Sequence, residues 1–410
     1  MQKTTKFTGQ TIIVTGSNVG LGLEAARHFV RLDASKVILA VRTIKKGEAA
    51  AASIEETTGH KGVVEVWELD LCKSESVQKF ASRVDTLDRL DVFMANAGIM
   101  AKTFTKVEGN ESQITVNVIN TMLLGIMVLP ALRASAIKYN KPGVLSFTGS
   151  FVHYVTEFPE RNAPNIFEDL ADEGKARMAD RYNVSKMMEL LAVRELATKM
   201  TESKKDGQVI ISVANPGWVK ANMGSGEKSG LFTAFGRRFI ARETEVGSRT
   251  LVHAAEGDPE THGQYLSDCE IGEVSSFVYS DAGAKAQKKV WGELSQVPDT
   301  MSMQQSSGTP NVGQQSQMSS SNGQRAEDTI RECEMQFEAA LSKLRQSRSE
   351  AIITGKKLAY YETSFNNLQK VFRAMKKEKE EQEKELNDLK QAYGELLVEY
   401  RRVQLQNQAR

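Results

Sequence analysis

Apolar and polar positions alternate along residues 11–280 in blocks that predict strands and helices in turn. Short apolar runs rich in β-branched residues occupy residues 11–14, 36–42, 63–69, 90–95, 143–148 and 209–213. Segments with helical spacing lie between them, at residues 23–30, 44–56 and 112–132 and around residues 182–186. The helix in segment 112–132 is predicted to stop at Pro130. This order predicts an α/β fold, in which a parallel sheet is covered by helices on both faces.

The turn after the first predicted strand is rich in glycine, over residues 15–22. A strand that passes through glycines directly into a helix aims backbone N–H groups and the positive end of the helix dipole at one point, where a pyrophosphate fits. Gly16 permits the tight turn, and Gly20 and Gly22 have no Cβ to block the phosphates or the packing of helix on strand. A glycine-rich loop without a ligand remains the alternative for this motif alone.

The other strands end in small, polar or turn-forming residues. Ligands of such sheets bind beyond the carboxyl ends of the strands, so we expect one shared crevice there. Those ends carry Gly16, Arg42, Asp70, Asn96 with Gly98, Ser150, and Pro216 with Gly217.

These motifs, in this order, resemble the short-chain dehydrogenase/reductase family, and in particular a fungal retinol-dehydrogenase-like subgroup. The resemblance covers residues 8–294 and also includes Asn117 and the spacing Tyr182-x-x-x-Lys186. It implies a Rossmann-type doubly wound parallel sheet and an NAD(P)-dependent oxidoreductase that interconverts a carbonyl and an alcohol. Several members of the subgroup look like tailoring enzymes of secondary metabolism.

Two features depart from the family pattern. Paired serines normally end the fifth strand, whereas Thr148-Gly149-Ser150 stands here, which leaves Thr148 as the alternative hydroxyl. The interval from Ser150 to Tyr182 is also longer than in the shortest members. The polar stretch 157–180 within it, which contains two prolines, is expected to be an inserted loop near the substrate.

Tyr182 and Lys186 are four residues apart on a predicted helix, so their side chains share one face. A phenol has a pKa of about 10, and a nearby ammonium favours the phenolate and lowers that pKa. Lys186 is therefore expected to tune Tyr182 as the acid in carbonyl reduction or the base in alcohol oxidation. The alternative is a solvated pair that occurs by chance.

Two further catalytic candidates rest on the resemblance. Ser150 follows a strand at the crevice and could donate to the substrate oxygen, although a serine there is ordinarily a turn or cap residue. Asn117 is a poor helix-interior residue; the resemblance gives it a water that relays protons to Lys186, and the alternative is a buried, satisfied amide. We interpret His153 as structural and leave it out of the site.

The second strand bears on the cofactor. An acidic residue at its end would bond a ribose 2′-hydroxyl, but the guanidinium of Arg42 matches a 2′-phosphate, which favours NADP(H) over NAD(H). Asp70 is expected near the adenine, with a helix N-cap as the alternative. The expected cofactor-binding set is Gly16, Asn18, Gly20, Leu21, Gly22, Arg42, Asp70, Asn96, Tyr182, Lys186, Pro216 and Val219. Segment 223–240, which contains glycines and aromatics, is predicted to be a mobile lid over an apolar substrate or, equally, a packed helix.

Composition changes this picture little. With 410 residues the chain can hold one large domain and an additional part, and its net charge of +1 argues against a general nucleic-acid or membrane-surface role. The three cysteines lie far apart, which suits a reducing compartment and predicts no metal site. We expect a cytoplasmic protein without a membrane span.

The last third of the chain differs from the first two. We expect a domain over residues 8–296, a low-complexity linker over 297–324, whose Ser, Gln, Gly and Asn residues cannot build a core, and a coiled coil over 325–410. Positions spaced by seven from Ile330 and from Cys333 are mostly apolar as far as Val403. Residues 330–403 would join the chain to itself as a homo-oligomer or to a coiled-coil partner. The alternative is a neighbouring reading frame joined to this one.

The function predicted from the sequence is therefore NADP(H)-dependent oxidoreduction of an apolar or polyketide-like carbonyl or alcohol. A nucleotide-binding scaffold with little turnover, whose coiled coil recruits a partner, is the alternative. The combined presence of Asn117, Ser150, Tyr182 and Lys186 argues against it, because a scaffold has no chemical need for all four.

Overall fold

The computed structural model describes residues 6–217, 219 and 242–297. The predicted lid at 223–240, the predicted coiled coil at 325–410 and all but the first residue of the predicted linker at 297–324 lie outside the described residues.

The predicted sheet is confirmed as an eight-stranded, mostly parallel one. Its order is β10-β9-β8-β7-β4-β1-β2-β3, and only the pair β9–β10 is antiparallel. The strands are β1 Thr11–Thr15, β2 Lys36–Val41, β3 Val64–Glu68, β4 Val92–Ala95, β7 Gly143–Thr148, β8 Val209–Asn215, β9 Tyr265–Ser267 and β10 Glu270–Gly272, while β5 Lys106–Val107 and β6 Asn110–Glu111 form a separate hairpin. This is the doubly wound topology, in which the chain order reverses beside β1 and opens a crevice there.

Helices cover both faces of the sheet. They are α1 Gly20–Arg31, α2 Ile44–Thr58, α3 Ser74–Val84, α4 Ser112–Ile114, α5 Thr121–Met127, α6 Leu129–Tyr139, α7 Ile166–Leu170, α8 Met178–Glu202, α9 Thr244–Ala254, α10 Ser276–Tyr279 and α11 Asp281–Leu294. Successive residues of β1 enter different cores: Ile12 and Val14 pack on one side of the sheet and Ile13 on the other. The continuous apolar runs in the sequence follow from this burial on both faces.

Several predicted boundaries were wrong. The third and fourth strands are shorter than expected, the sixth continues to Asn215, and α2 runs two residues past Glu56. The helix predicted to stop at Pro130 resumes as α6, because that proline occupies the first turn of a new helix, where its missing N–H has no partner to lose. Residues Thr115–Asn120 form a π-helix within this segment.

The segment Ser112–Tyr139 bears on the expected absence of a membrane span. Within the described ranges it is the one helical stretch long and apolar enough to cross a membrane, and 67% of its most apolar part is buried inside the fold. Length and composition alone therefore do not exclude a membrane span at this segment. The burial is that of a core helix packed against the sheet.

The stretch 157–180, expected to be a loop, contains ordered helical turns. It includes Pro159–Asn162, α7 and Glu173–Lys175. Its start is tied to α8, because Thr156 Oγ1 donates to Asp180 Oδ2 at 2.8 Å and accepts from the Phe158 backbone N–H at 3.0 Å. The insertion is therefore fixed to the helix that carries Tyr182 and Lys186.

Candidate active site

The glycine turn after β1 is shaped for close approach by a ligand. Gly16 has φ +65°, and a Cβ there would stand 2.9 Å from Ala97 Cα; a Cβ on Gly22 would stand 2.6 Å from Asn96 Nδ2. Gly20 has φ +61°, and a Cβ there would meet no atom within 4 Å. Val19 precedes α1 as its N-cap and supplies no side-chain acceptor. No side chain therefore caps the N–H groups at the start of α1, and they lie beside open space. A phosphate could accept hydrogen bonds from them there.

Asn96 holds this corner together. Its Nδ2 donates to the Thr15 carbonyl at 2.8 Å, and Thr15 Oγ1 accepts the backbone N–H groups of Asn96 and Ala97, each at 2.9 Å. The ends of β1 and β4 are thereby joined. The structure thus gives the Asn96 side chain a bracing role at the predicted cofactor corner.

Arg42 is exposed directly after β2, and no hydrogen bond or ion pair of its side chain occurs among the described residues. The adjacent helix α2 begins Ile44-Lys45-Lys46, has no acidic residue in its first turn and receives no side-chain cap from Thr43. Positive side chains at a helix N-terminus are unfavourable until an anion joins them. This basic end of α2 therefore fits a phosphate.

Asp70 is not a helix N-cap, so that alternative was wrong. Its Oδ1 accepts the Cys72 backbone N–H at 3.0 Å, while Lys73 is the N-cap of α3. The carboxylate shapes the turn after β3, at the same edge of the sheet as Arg42. The adenine role of Asp70 stays a prediction.

The structure brings three other predicted cofactor residues together at Gly247 of α9. A Cβ there would stand 2.3 Å from Val219 Cγ1, 3.1 Å from Leu21 Cδ2 and 3.1 Å from the Pro216 carbonyl oxygen. The start of α1 and the residues that follow β8 therefore meet at one helix. Asn18, in the glycine turn, is partly exposed.

Lys186 is buried, with 5% of its surface exposed, and its ammonium is held by two acceptors. Nζ donates to the Thr148 carbonyl at 2.7 Å and to Glu189 Oε2 at 2.6 Å. A Cβ on Gly98 would stand 3.8 Å from this Nζ, so Lys186 reaches the end of β4. Lys186 therefore spans from α8 to the carboxyl ends of β4 and β7.

Tyr182 lies on the same helix and is also buried. Burial raises its pKa above the usual value, and the opposing effect of the Lys186 charge is smaller. Lys186 acts on the phenol in the expected direction and lowers its pKa, but the net pKa is raised, contrary to the expectation. The reason is that water is excluded from both groups and that Glu189 offsets the charge of the lysine.

Asn117 has the satisfied amide that the alternative interpretation described. Its Oδ1 accepts the Ile99 N–H at 2.8 Å, and its Nδ2 donates to the Ile99 carbonyl at 2.9 Å and to Ser185 Oγ at 3.1 Å. The side chain thus clamps the loop after β4 to α8, next to Lys186. Its position in a π-helix fits the poor helical preference of asparagine.

Ser150 is partly exposed after β7, whereas Thr148 is buried. Ser150 Oγ accepts the Val152 N–H at 3.4 Å as a cap, which leaves its own hydrogen free to donate. Thr148 Oγ1 lies 3.4 Å from Asn96 Oδ1. These contacts favour Ser150 over Thr148 as the hydroxyl that meets a substrate.

His153 stands behind Ser150 as a structural residue. Its Nδ1 lies 2.8 Å from the Ser150 carbonyl oxygen, and its Nε2 accepts the Ser275 N–H at 3.3 Å, which requires the neutral ring. Burial lowers the pKa of His153 to about 4. The omission of His153 from the predicted site agrees with these contacts, although the residue fixes the backbone of Ser150.

Sequence reasoning missed Glu189. Its carboxylate is 1% exposed and pairs with Lys186 from one helical turn away. The available signal was a lone acidic residue within the apolar run Met187-Met188-Glu189-Leu190-Leu191. A charge in such a run is stable only when it has a partner.

No group of three His, Cys, Asp or Glu side chains that could hold a metal ion occurs within the described ranges.

Comparison with known proteins finds relatives of this chain. The short chain dehydrogenase family description matches residues 10–157. The chain is 46% identical over 297 residues to the short chain dehydrogenase/reductase dmxR8 of Cryptosporiopsis sp., covering 71% of this chain and 91% of that protein. It is 43% identical over 300 residues to the short-chain dehydrogenase anuD of Penicillium roqueforti, covering 71% and 78% respectively. A solved oxidoreductase, yciK from E. coli, is 27% identical with a TM-score of 0.40, covering 54% of this chain and 81% of yciK.

Proposed function

The chain belongs to the short-chain dehydrogenase/reductase family of oxidoreductases acting on CH–OH groups, and from that premise we propose that it is an NADP(H)-dependent reductase of apolar or polyketide-like carbonyl compounds. The reverse oxidation of the alcohol would use the same groups. The catalytic residues in this proposal are Ser150, Tyr182 and Lys186, with Asn117 as a positioning residue.

The observation that carries the proposal is the placement of the Lys186 ammonium. It lies in hydrogen-bond contact with the end of β7 and close to Gly98 at the end of β4, one helical turn from Tyr182. A solvated pair formed by chance would not be buried in this way. The pair lies at the edge of the sheet where ligands of this topology bind.

Tyr182 supplies the proton in the proposed reduction. The phenol carries its proton at neutral pH and can donate it to a carbonyl oxygen; burial raises its pKa, and the Lys186 charge opposes that rise. The phenolate left behind is stabilised by the adjacent Lys186 charge, and Ser150 Oγ can donate a hydrogen bond to the same substrate oxygen. The nicotinamide, when bound, supplies the hydride.

The residues present fit a dinucleotide. The start of α1, which has no side-chain cap and has open space at Gly20, would hold the pyrophosphate. Leu21, Pro216 and Val219, which lie together at Gly247, would contact the cofactor as well. Arg42, with Lys45 and Lys46 at the start of α2, would bind a 2′-phosphate, which is the basis for preferring NADP(H). Asn18 and Asp70 complete the proposed cofactor contacts.

The substrate class is inferred from the apolar character near the site. Met100, two residues beyond Gly98, is an exposed apolar side chain, with 44% of its surface accessible. The ordered insertion at 157–180 is fixed to α8, the helix that carries Tyr182, and we propose that it contributes to the substrate side of the site. An apolar, polyketide-like molecule and a role in fungal secondary metabolism fit these features and the resemblance.

The test compares NADPH oxidation by the full chain and by Tyr182→Phe, with a panel of aldehydes, ketones and quinones. The variant should lose about 10²–10⁴-fold in kcat, since general acid catalysis contributes that much. Tyr139→Phe is the matched control, because the Tyr139 hydroxyl bonds Asp88 on the surface at 2.8 Å. Equal oxidation rates in the wild type and Tyr182→Phe would refute the proposed mechanism, and oxidation no faster than background in both would favour a nucleotide-binding scaffold.

A further inference from the structure

Glu189 is a buried acid for which the proposed reaction has no direct use. It lies on α8 one turn after Lys186, and its Oε2 stands 2.6 Å from Lys186 Nζ. Its neighbours in sequence, Met187, Met188, Leu190 and Leu191, are all buried. A carboxylate in such surroundings loses its hydration, and only a close, hydrogen-bonded cation offsets that cost.

The ammonium of Lys186 has three N–H donors. One is directed to the Thr148 carbonyl at 2.7 Å and one to Glu189 at 2.6 Å, so a single donor remains for a nucleotide or for the Tyr182 phenolate. The two acceptors come from different elements, the end of β7 and the helix α8. Together they restrict both the position and the rotation of the ammonium.

Building on the proposed function, we propose that Glu189 is a positioning residue, whose carboxylate fixes the Lys186 ammonium against the Thr148 carbonyl and keeps it charged in its buried surroundings. Glu189 acts through Lys186 and does not exchange the proton itself. Without it, the lysine would be a buried cation held only by a backbone carbonyl.

The charges around the pair support this assignment. Burial lowers the pKa of Lys186, but the Glu189 carboxylate and then the Tyr182 phenol raise it by more, so the net direction is upward. His153, in the turn packed on α8, is neutral and bonded to Ser150 and Ser275. The carboxylate that keeps Lys186 charged is therefore on the same helix as the lysine.

Removing the negative charge of Glu189 changes the neighbouring pKa values in one direction. Loss of an adjacent carboxylate lowers the pKa of every neighbouring group, Lys186 and Tyr182 alike, and a partner at this distance accounts for about 1–3 pH units. Carbonyl reduction needs the proton on this pair. The high-pH limit of reduction should therefore move to lower pH in Glu189→Gln, whichever of the two groups loses its proton first.

The same helix offers a matched control in Glu195. It too is 1% exposed and pairs with lysine, but its partner is Lys288 of α11 at 2.7 Å, with Gln287 at 2.9 Å. Glu195→Gln removes a charge about two turns further along α8, where the partner Lys288 is 68% exposed and the proposed site is not touched. Any general effect of losing an acid from this helix appears in both variants.

The primary experiment is an NMR pH titration of the Lys186 Cε resonance in the full chain without nucleotide, assigned by its loss in Lys186→Arg. We expect the midpoint to fall by about 1 pH unit or more in Glu189→Gln and to stay at the wild-type value in Glu195→Gln. An unchanged midpoint in Glu189→Gln overturns the proposal.

Activity provides the second readout. Glu189→Gln should move the high-pH limb of the kcat profile to lower pH. Glu189→Asp keeps the charge but places it one methylene farther from Lys186. It should return the high-pH limb to its wild-type position and lower kcat by roughly 10–100-fold. A wild-type kcat in Glu189→Asp would contradict the positioning role. Glu189→Asp also provides the test if Glu189→Gln does not fold. If Tyr182→Phe were as active as the wild type, the proposed function would fail while the titration still tested Glu189.

Discussion

Gly149 and Val213 fill one space between β7 and β8: a Cβ on Gly149 would stand 2.3 Å from Val213 Cγ1. The sequence departs from its family at this position, where glycine replaces the first of two serines. The structure gives the physical reason, because the branched side chain of Val213 occupies the volume that a serine side chain would need. Ser150 still stands after β7 at the position of the second serine in the family pattern.

We predict from this contact that Gly149→Ser destabilises the fold by about 1–3 kcal/mol, the usual cost of overpacking a core. The added Val213→Ala substitution should recover most of that loss, because it removes the Cγ1 atom that the serine meets. Chemical denaturation of the two single variants and the double variant measures the coupling between the sites. Additive effects in the double variant would show that the two side chains do not compete for space.

The open space at Gly20 gives a prediction about nucleotide binding. Gly20→Ala and Gly59→Ala place a methyl group at two positions with positive φ, +61° and +75°, and neither Cβ would meet protein atoms within 4 Å. Each should cost about 1–2 kcal/mol of stability.

Only Gly20→Ala should weaken the binding of NADP, because Gly20 lies at the start of α1 and Gly59 caps the far end of α2. Fluorescence titration with the nucleotide measures the difference. Equal nucleotide affinity in the two variants would place the phosphates elsewhere.

The basic start of α2 predicts the choice of cofactor. Arg42→Gln should weaken NADP binding by about tenfold, or 1.4 kcal/mol, and leave NAD binding unchanged, because NAD has no 2′-phosphate. Arg31→Gln, which alters an exposed arginine at the end of α1, is the control. Thermal shifts with each nucleotide provide the measurement. A parallel loss of both affinities in Arg42→Gln would rule out recognition of the 2′-phosphate.

The buried His153 predicts a dependence of stability on acid. Burial lowers its pKa to about 4 in the folded state, from 6.5 ordinarily, so the unfolded chain binds more protons between these values. Its contribution is complete above pH 6.5 and is lost as the pH falls towards 4, at up to about 3 kcal/mol.

His153→Gln should remove this part of the acid sensitivity, since glutamine stays neutral and can make both backbone hydrogen bonds. Denaturation midpoints at several pH values test the prediction, with the exposed His60→Gln as a control. The same pH dependence in His153→Gln and the wild type would show that His153 takes up its proton freely in the fold.

Much of this architecture could be predicted from the sequence. The apolar runs located six of the parallel strands because burial on both faces leaves no alternating pattern to obscure them, and the glycines at 16, 20 and 22 located the turn from β1 into α1. The short strands β9 and β10 were missed because three residues are too few to show a pattern. The helix end predicted at Pro130 was wrong because a proline can stand in the first turn of a new helix as well as after the end of one.

The electrostatics of the site could not be predicted from spacing alone. The interval from Tyr182 to Lys186 gives a shared face, but the pKa of the phenol depends on how deeply both groups are buried and on Glu189. Likewise, the bonds of Asn117 to Ile99 and Ser185 join residues that are far apart in the chain.

The most direct test of the central claim is a crystal structure of the full chain with NADP bound. We predict that the pyrophosphate lies on the N–H groups at the start of α1 and that the nicotinamide lies beside Tyr182, with room for one carbonyl group between them. A nucleotide bound away from the Gly16 turn, or a nicotinamide that the Tyr182 hydroxyl cannot reach, would contradict the account.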